Sequence, residues 1–135
     1  PDLRHRATII FIDHKQSHLL NRAAWPANFS FIESKINQAG NFDLNAILSQ
    51  LAKLGYYNLL VEAGPTLTGE FLKDDLAQEI YWFRSNHIIG NNGLEPFKRL
   101  KSEHLAKAKQ LTLIKRKRFA KDECQIYSSG FASRF

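Results

Sequence analysis

The stretch from Asp43 to Leu72 limits the possible folds more than any other part of the chain. Leu44, Ile47, Leu48, Leu51 and Leu54 recur at helical spacing behind Asp43, a good N-cap, and Gly55 follows as a stop. "YYNLLVE" (Tyr56 to Glu62) then reads as an apolar strand. Directly after it, Glu62-Ala63-Gly64-Pro65-Thr66 turns into a second helix, from about Pro65 to Lys73, with Leu67, Phe71 and Leu72 on its inner side. Pro65 suits the first turn because its missing N–H would have no intrahelical partner there. A strand held between two helices by such short connections points to an α/β sheet with parallel pairs.

The flanking segments extend this pattern. "ATIIFID" (Ala7 to Asp13) is a continuous, β-branched apolar run, the signature of a strand covered on both faces. "NFSFIES" (Asn28 to Ser34) is a shorter strand after the Trp25-Pro26 turn, and the intervening loop carries His14, Lys15, Gln16 and His18. "AQEIYWFRSNHII" (Ala77 to Ile89) is a further strand ended by "GNNG", and a short helix is expected at Glu95 to Leu100. Strands at about Gln110 to Phe119 and Glu123 to Tyr127, split by "AKDE", form a hairpin. The expected fold class is therefore α/β: a mostly parallel sheet with helices on both faces and an antiparallel C-terminal hairpin.

With 135 residues and 44% hydrophobic side chains, the chain suits one globular domain. No apolar run approaches the roughly 18 to 20 residues that span a bilayer, and no secretory leader pattern is present, so the expectation is cytoplasmic with no membrane partner. Cys124, the single cysteine, excludes an internal disulfide and reads as a small packed residue in a strand. His14, His18, His87 and His104 show no ligand spacing, so no metal is expected. A formal charge of +6 favours an anionic partner, either nucleic acid or a phosphorylated small molecule. The basic run Lys115, Arg116, Lys117, Arg118 and Lys121 reads first as a solvated edge strand. No nucleic-acid partner is expected, because that run has no interleaved stacking aromatics and no known RNA-binding motif.

The Glu62 to Thr66 turn carries the chemistry. In open α/β sheets ligands bind beyond the carboxyl ends of the strands, where the next helix presents free N–H groups. Gly64 lets backbone approach a ligand, and the amides of Thr66 and Leu67, with the Thr66 hydroxyl, can donate to a pyrophosphate. Gly69, one turn on, lets the helix press against the sheet or a cofactor. The glycines alone lack the full G-x-G-x-x-G spacing and leave two readings open, a junction or a phosphate cradle. Glu62, a carboxylate ending an apolar strand, needs a partner or water and favours the second.

"VEAGPTLTGEFLKDDLAQEIYWF" resembles the C-terminal reductase domain of the bifunctional riboflavin-biosynthesis deaminase/reductase family, which has a dihydrofolate-reductase-like fold. Val61 to Gly69 carry the specific part of the likeness. "HIIGNNG" resembles that family's following apolar pair, glycine and loop, and "ATIIFID" its earlier strand. The resemblance implies NADPH-dependent reduction of the ribosylamino group of 5-amino-6-(5-phosphoribosylamino)uracil to the ribitylamino form. It places Gly64, Pro65, Thr66 and Leu67 along the NADPH pyrophosphate and Glu62 at the sugar part of the substrate. Asp13 to Lys15 would lie near the adenosine half, with Lys15 meeting the 2′-phosphate. "PDLRHR" matches a family segment in which Leu3 contacts substrate and Arg6 binds its phosphate, a task suited to the forked guanidinium. A homodimer through the sheet region is also implied, with Tyr81, Trp82 and Phe83 as a candidate surface.

Three departures qualify that likeness. The family's first strand and its A-x-S-x-D-G-type substrate segment would precede Pro1, so residues 1–135 are read as a single, partial reductase domain, truncated at its N-terminus. A zinc deaminase domain, if fused, lies outside this chain, since H-x-E with P-C-x-x-C does not occur here. Ser85 and Asn86 stand where the family has Ala-Pro. On this reading these residues alone bind cofactor poorly and turn over no substrate, and a longer chain reaching the missing strand restores reduction. The alternative is a catalytically silent nucleotide-binding or scaffold module of the same fold.

Overall fold

The computed structural model describes residues 6–37, 40–98, 100 and 108–130. The chain divides into two compact units, Pro1–Leu59 and Leu60–Phe135.

In the first unit, β1 (Thr8–Asp13) and β2 (Phe29–Ser34) pair in parallel, Thr8 opposite Phe29 and Asp13 opposite Ser34. Parallel strands need a crossover, supplied here by two short 3-10 turns, Ser17–Leu19 and Arg22–Ala24. Trp25 closes the crossover by packing on Phe29 and Phe31, with ring centroids 5.3 and 5.5 Å apart. Helix α1 (Leu44–Lys53) starts where the sequence predicts. The Asp43 carboxylate accepts a 3.1 Å hydrogen bond from the Ala46 amide, Leu44 is buried, and Gly55 ends the turn at φ 90°. That φ is open to glycine at little steric cost.

In the second unit, α2 (Pro65–Lys73) precedes a three-stranded antiparallel sheet of β3 (Glu79–Arg84), β4 (Thr112–Phe119) and β5 (Asp122–Ser128), in the order β3-β5-β4. Alternation sorts its residues onto two faces. One face carries the rows Ile80–Tyr127–Leu113, Trp82–Gln125–Arg116 and Arg84–Glu123–Arg118. The other carries Tyr81–Ile126–Lys115 and Phe83–Cys124–Lys117, with Phe119 opposite Asp122 at the hairpin end. A bulge at Ile114 sets this register. Cys124 and Ile126 lie buried on the central strand, as a packed cysteine should. No helix among the described residues is long and apolar enough to cross a membrane.

Pairing departs from the sequence reading in three places. Tyr56 to Glu62 forms no strand, and Tyr57 and Leu60 stand 81% and 78% exposed. Its composition supplies strand propensity, but a ladder also needs a partner edge, and none pairs with it among the described residues. The strand expected over Ala77 to Ile89 is confined to Glu79–Arg84; beyond it the Ser85 hydroxyl meets His87 Nδ1 at 2.6 Å and Gly90 turns at φ 73°. No helix forms at 95–98, and Arg99 lies outside the described residues. There the Lys98 amide donates to the Pro65 carbonyl at 2.9 Å, and Phe97 packs edge-on against Trp82 at 5.2 Å. These contacts outweigh a short helix, which alone is marginal in water.

Candidate cofactor site

The site is built on the start of α2. Gly64 is its N-cap in extended geometry (φ −70°, ψ 171°), with Pro65 in the first helical turn. The Gly64 carbonyl receives the first helical hydrogen bond, from the Thr68 amide at 3.1 Å. The amides of Thr66 and Leu67 therefore precede any intrahelical acceptor and open outward with the positive end of the helix dipole. Thr66 and Leu67 are exposed, and a Cβ built on Gly64 meets no atom within 4 Å. Backbone and bound phosphate can thus approach closely here, so the residues present fit the diphosphate of a dinucleotide.

Thr68 was not singled out by the sequence reading. Its hydroxyl donates to the Gly64 carbonyl at 3.1 Å and lies 3.3 Å from that of Ala63, fixing the turn from inside. The available signal was a threonine four residues beyond the N-cap, where a hydroxyl can bond back to the i−4 carbonyl. Glu62 stands exposed just before this turn, in the irregular stretch rather than at a strand end. Gly69 is buried, and its Cα faces the Lys98 backbone, so the close approach anticipated for it is to the chain itself.

The second group of expected residues gathers at the carboxyl end of β1. The Asp13 carboxylate accepts from the Lys15 amide at 3.1 Å and lies 3.2 Å from His14 Nδ1. It borders a cavity of about 500 Å³ walled by Phe11, Ile12, Leu19, Leu20 and Phe42. The cavity is an open groove rather than an enclosed pocket, with Leu19 on its wall 74% exposed. The Lys15 side chain is exposed. Arg6 is exposed as well, with its carbonyl held by Thr8 Oγ1 at 3.1 Å and Asn28 Nδ2 at 2.6 Å. Leu3 lies outside the described residues. Asp13 and Lys15 thus come together in the first unit, and Gly64, Pro65, Thr66 and Leu67 in the second.

A parallel strand pair, a helix behind a glycine turn and an antiparallel sheet define an α/β protein. Residues 3–124 match the family described as the RibD C-terminal domain. The chain belongs to that family, the C-terminal reductase domain of the riboflavin-biosynthesis deaminase/reductase. It is 34% identical over 67 residues to the riboflavin biosynthesis protein RibD of Buchnera aphidicola subsp. Baizongia pistaciae, covering 50% of this chain and 18% of that protein. Two solved structures of Acinetobacter baumannii RibD, forms 1 and 2, superpose with a TM-score of 0.66 at 19% identity, over 89% of this chain and 36% of theirs. At that identity the likeness establishes the fold. The chain spans well under half the length of each of these relatives.

Proposed function

We propose that this chain is an NADPH-dependent reductase domain of riboflavin biosynthesis, acting on 5-amino-6-(5-phosphoribosylamino)uracil. The observation that carries the reading is that the family match runs from residue 3 to residue 124, through both units and across the Glu62 to Leu67 turn, whose geometry suits a pyrophosphate. Both units then belong to one reductase domain. NADPH supplies the hydride; the protein positions donor and acceptor.

In this reading the Thr66 and Leu67 amides hold the cofactor diphosphate. Gly64 keeps the approach free of side chain. The Asp13 rim takes the adenosine half, and Lys15 pairs with the 2′-phosphate. Glu62 faces the sugar of the substrate. Arg6 binds the substrate phosphate, and Leu3 lies beside it. The family likeness further supports a homodimer and fusion to an N-terminal deaminase domain, within the cytoplasm.

A steady-state assay of NADPH oxidation by the chain extended upstream through the family's first strand tests the proposal. Substrate-dependent oxidation supports it, and an inactive extended protein that still binds NADPH supports the silent module instead. The Ser85–His87 contact favours that second reading, since it occupies the substrate-side loop where the family carries Ala-Pro.

A further inference from the structure

Within the second unit, segment 95–98 is fixed beside the start of α2 by three contacts. The Lys98 amide donates to the Pro65 carbonyl at 2.9 Å, and the Lys98 carbonyl lies against Gly69, where a Cβ would collide with it. Phe97, one residue earlier, rests edge-on against Trp82 at 5.2 Å. The Pro65 carbonyl and the Thr66 N–H are the two ends of one peptide group. A donor on that oxygen polarises the peptide and strengthens its N–H as a donor, since linked hydrogen bonds reinforce one another. Gly69 therefore does more than relieve helix packing: it lets this backbone come close enough to hold the turn.

Lys98 also brings a charge. Its side chain is exposed and forms no ion pair among the described residues. The acids of the turn, of α2 and of this segment are Glu62, Glu70 and Glu95; Glu70 faces Lys73 at 3.4 Å, while Glu62 and Glu95 are exposed. An exposed lysine is ordinarily a solvated one and needs no further account. This one leaves the backbone at the hydrogen bond to Pro65, within one helical turn of the Thr66 and Leu67 amides, a distance its flexible four-carbon stem can span. Because its backbone is already fixed, little further ordering is needed to bring the ammonium to an anion there.

We propose that Lys98 is a cofactor-binding residue whose ammonium pairs with the diphosphate held by the Thr66 and Leu67 amides. The inference rests on the reductase reading, in which that turn takes the diphosphate of NADPH, and adds a cation that the sequence reading did not single out. The diphosphate is common to NADPH and NADH, whereas in the same reading Lys15 meets the 2′-phosphate, which NADPH alone carries. The two lysines are therefore separable by cofactor.

Fluorescence titration of the whole chain with NADPH and with NADH, at low and moderate salt, tests it. Lys98→Gln should weaken both cofactors by the same factor, about tenfold at low salt and less as salt screens the pair. Lys98→Arg, which keeps the charge, should restore most of the affinity. Lys73→Gln, at the far end of α2, should change neither. The urea midpoint of Lys98→Gln should match that of the parent, because backbone contacts hold the segment. Parent-like affinity of Lys98→Gln for both cofactors would overturn the inference and leave the reductase reading standing. A loss confined to NADPH would overturn it too, assigning Lys98 to the 2′-phosphate. A parent that binds neither cofactor would contradict the reductase reading itself, and this inference with it.

Discussion

Replacing Gly69 with alanine tests how α2 is held against its own unit. In an exposed helix interior the change stabilises, because alanine exceeds glycine in helix propensity by about 1 kcal/mol. Here the added Cβ would collide with the Lys98 carbonyl oxygen and lie 3.0 Å from its carbon and 3.3 Å from the Lys98 nitrogen. All three are backbone atoms, so no side-chain rotation relieves the clash. Either α2 or the 95–98 segment must move. Overpacking of this kind costs about 1 to 3 kcal/mol. Movement also endangers the 2.9 Å Lys98-to-Pro65 hydrogen bond, worth about 0.5 to 1.5 kcal/mol net, which roughly cancels the propensity gain. The expected outcome is a loss of about 1 to 3 kcal/mol. Urea unfolding in a Trp25→Phe background reads this unit through Trp82, whose ring rests on Phe97 in the same segment. A Gly69→Ala variant as stable as the parent, or more so, would refute the reasoning.

The other predictions concern single contacts. Gly64→Ala should leave stability within about 0.5 kcal/mol, since its Cβ meets open space, and the urea midpoint checks this. Asp43→Ala removes the α1 cap bond to Ala46 and should cost about 1 kcal/mol by urea denaturation. The Tyr81 phenol is held above its ordinary value of 10.0 by its hydrogen bond to the Glu79 carboxylate and by that group's charge. A raised folded value means that the folded chain keeps this proton more tightly than the unfolded one. The associated stability is thus fully present below pH 10 and is lost as pH rises through the folded value. Glu79→Gln should bring the Tyr81 titration down toward 10.0, read from its ring-carbon NMR shift and assigned with Tyr81→Phe.

Local signals survived folding where one residue determines the outcome. Asp43, Gly55 and Pro65 each specify a helix boundary through their own backbone or side chain, and all three stand where the sequence placed them. The β1–β2 pair and the hairpin were legible because β-branched runs and the Ala120–Lys121 turn are likewise local features. Tyr56 to Glu62 was not, since a strand requires a neighbour that sequence composition does not supply. Glu95 to Lys98 was misread for the opposite reason: its neighbours, Pro65 and Trp82, are distant in sequence and hold it irregular. Near the candidate site, the helix start at Gly64 and Pro65 could be read directly. The apolar wall beside Asp13 could not, because Leu19 and Leu20 reach it only through the 3-10 crossover.

In the proposed function the start of α2 holds the diphosphate of a nicotinamide cofactor. NADPH titration followed by energy transfer from tryptophan, comparing the parent with Gly64→Asp, tests it most directly. The substitution places a carboxylate at the N-cap, where helices accept one readily, but in the space the phosphate needs. The account predicts saturable binding by the parent, weakened at least about tenfold in Gly64→Asp with the far-ultraviolet circular dichroism unchanged. Equal affinity in the two proteins would contradict it.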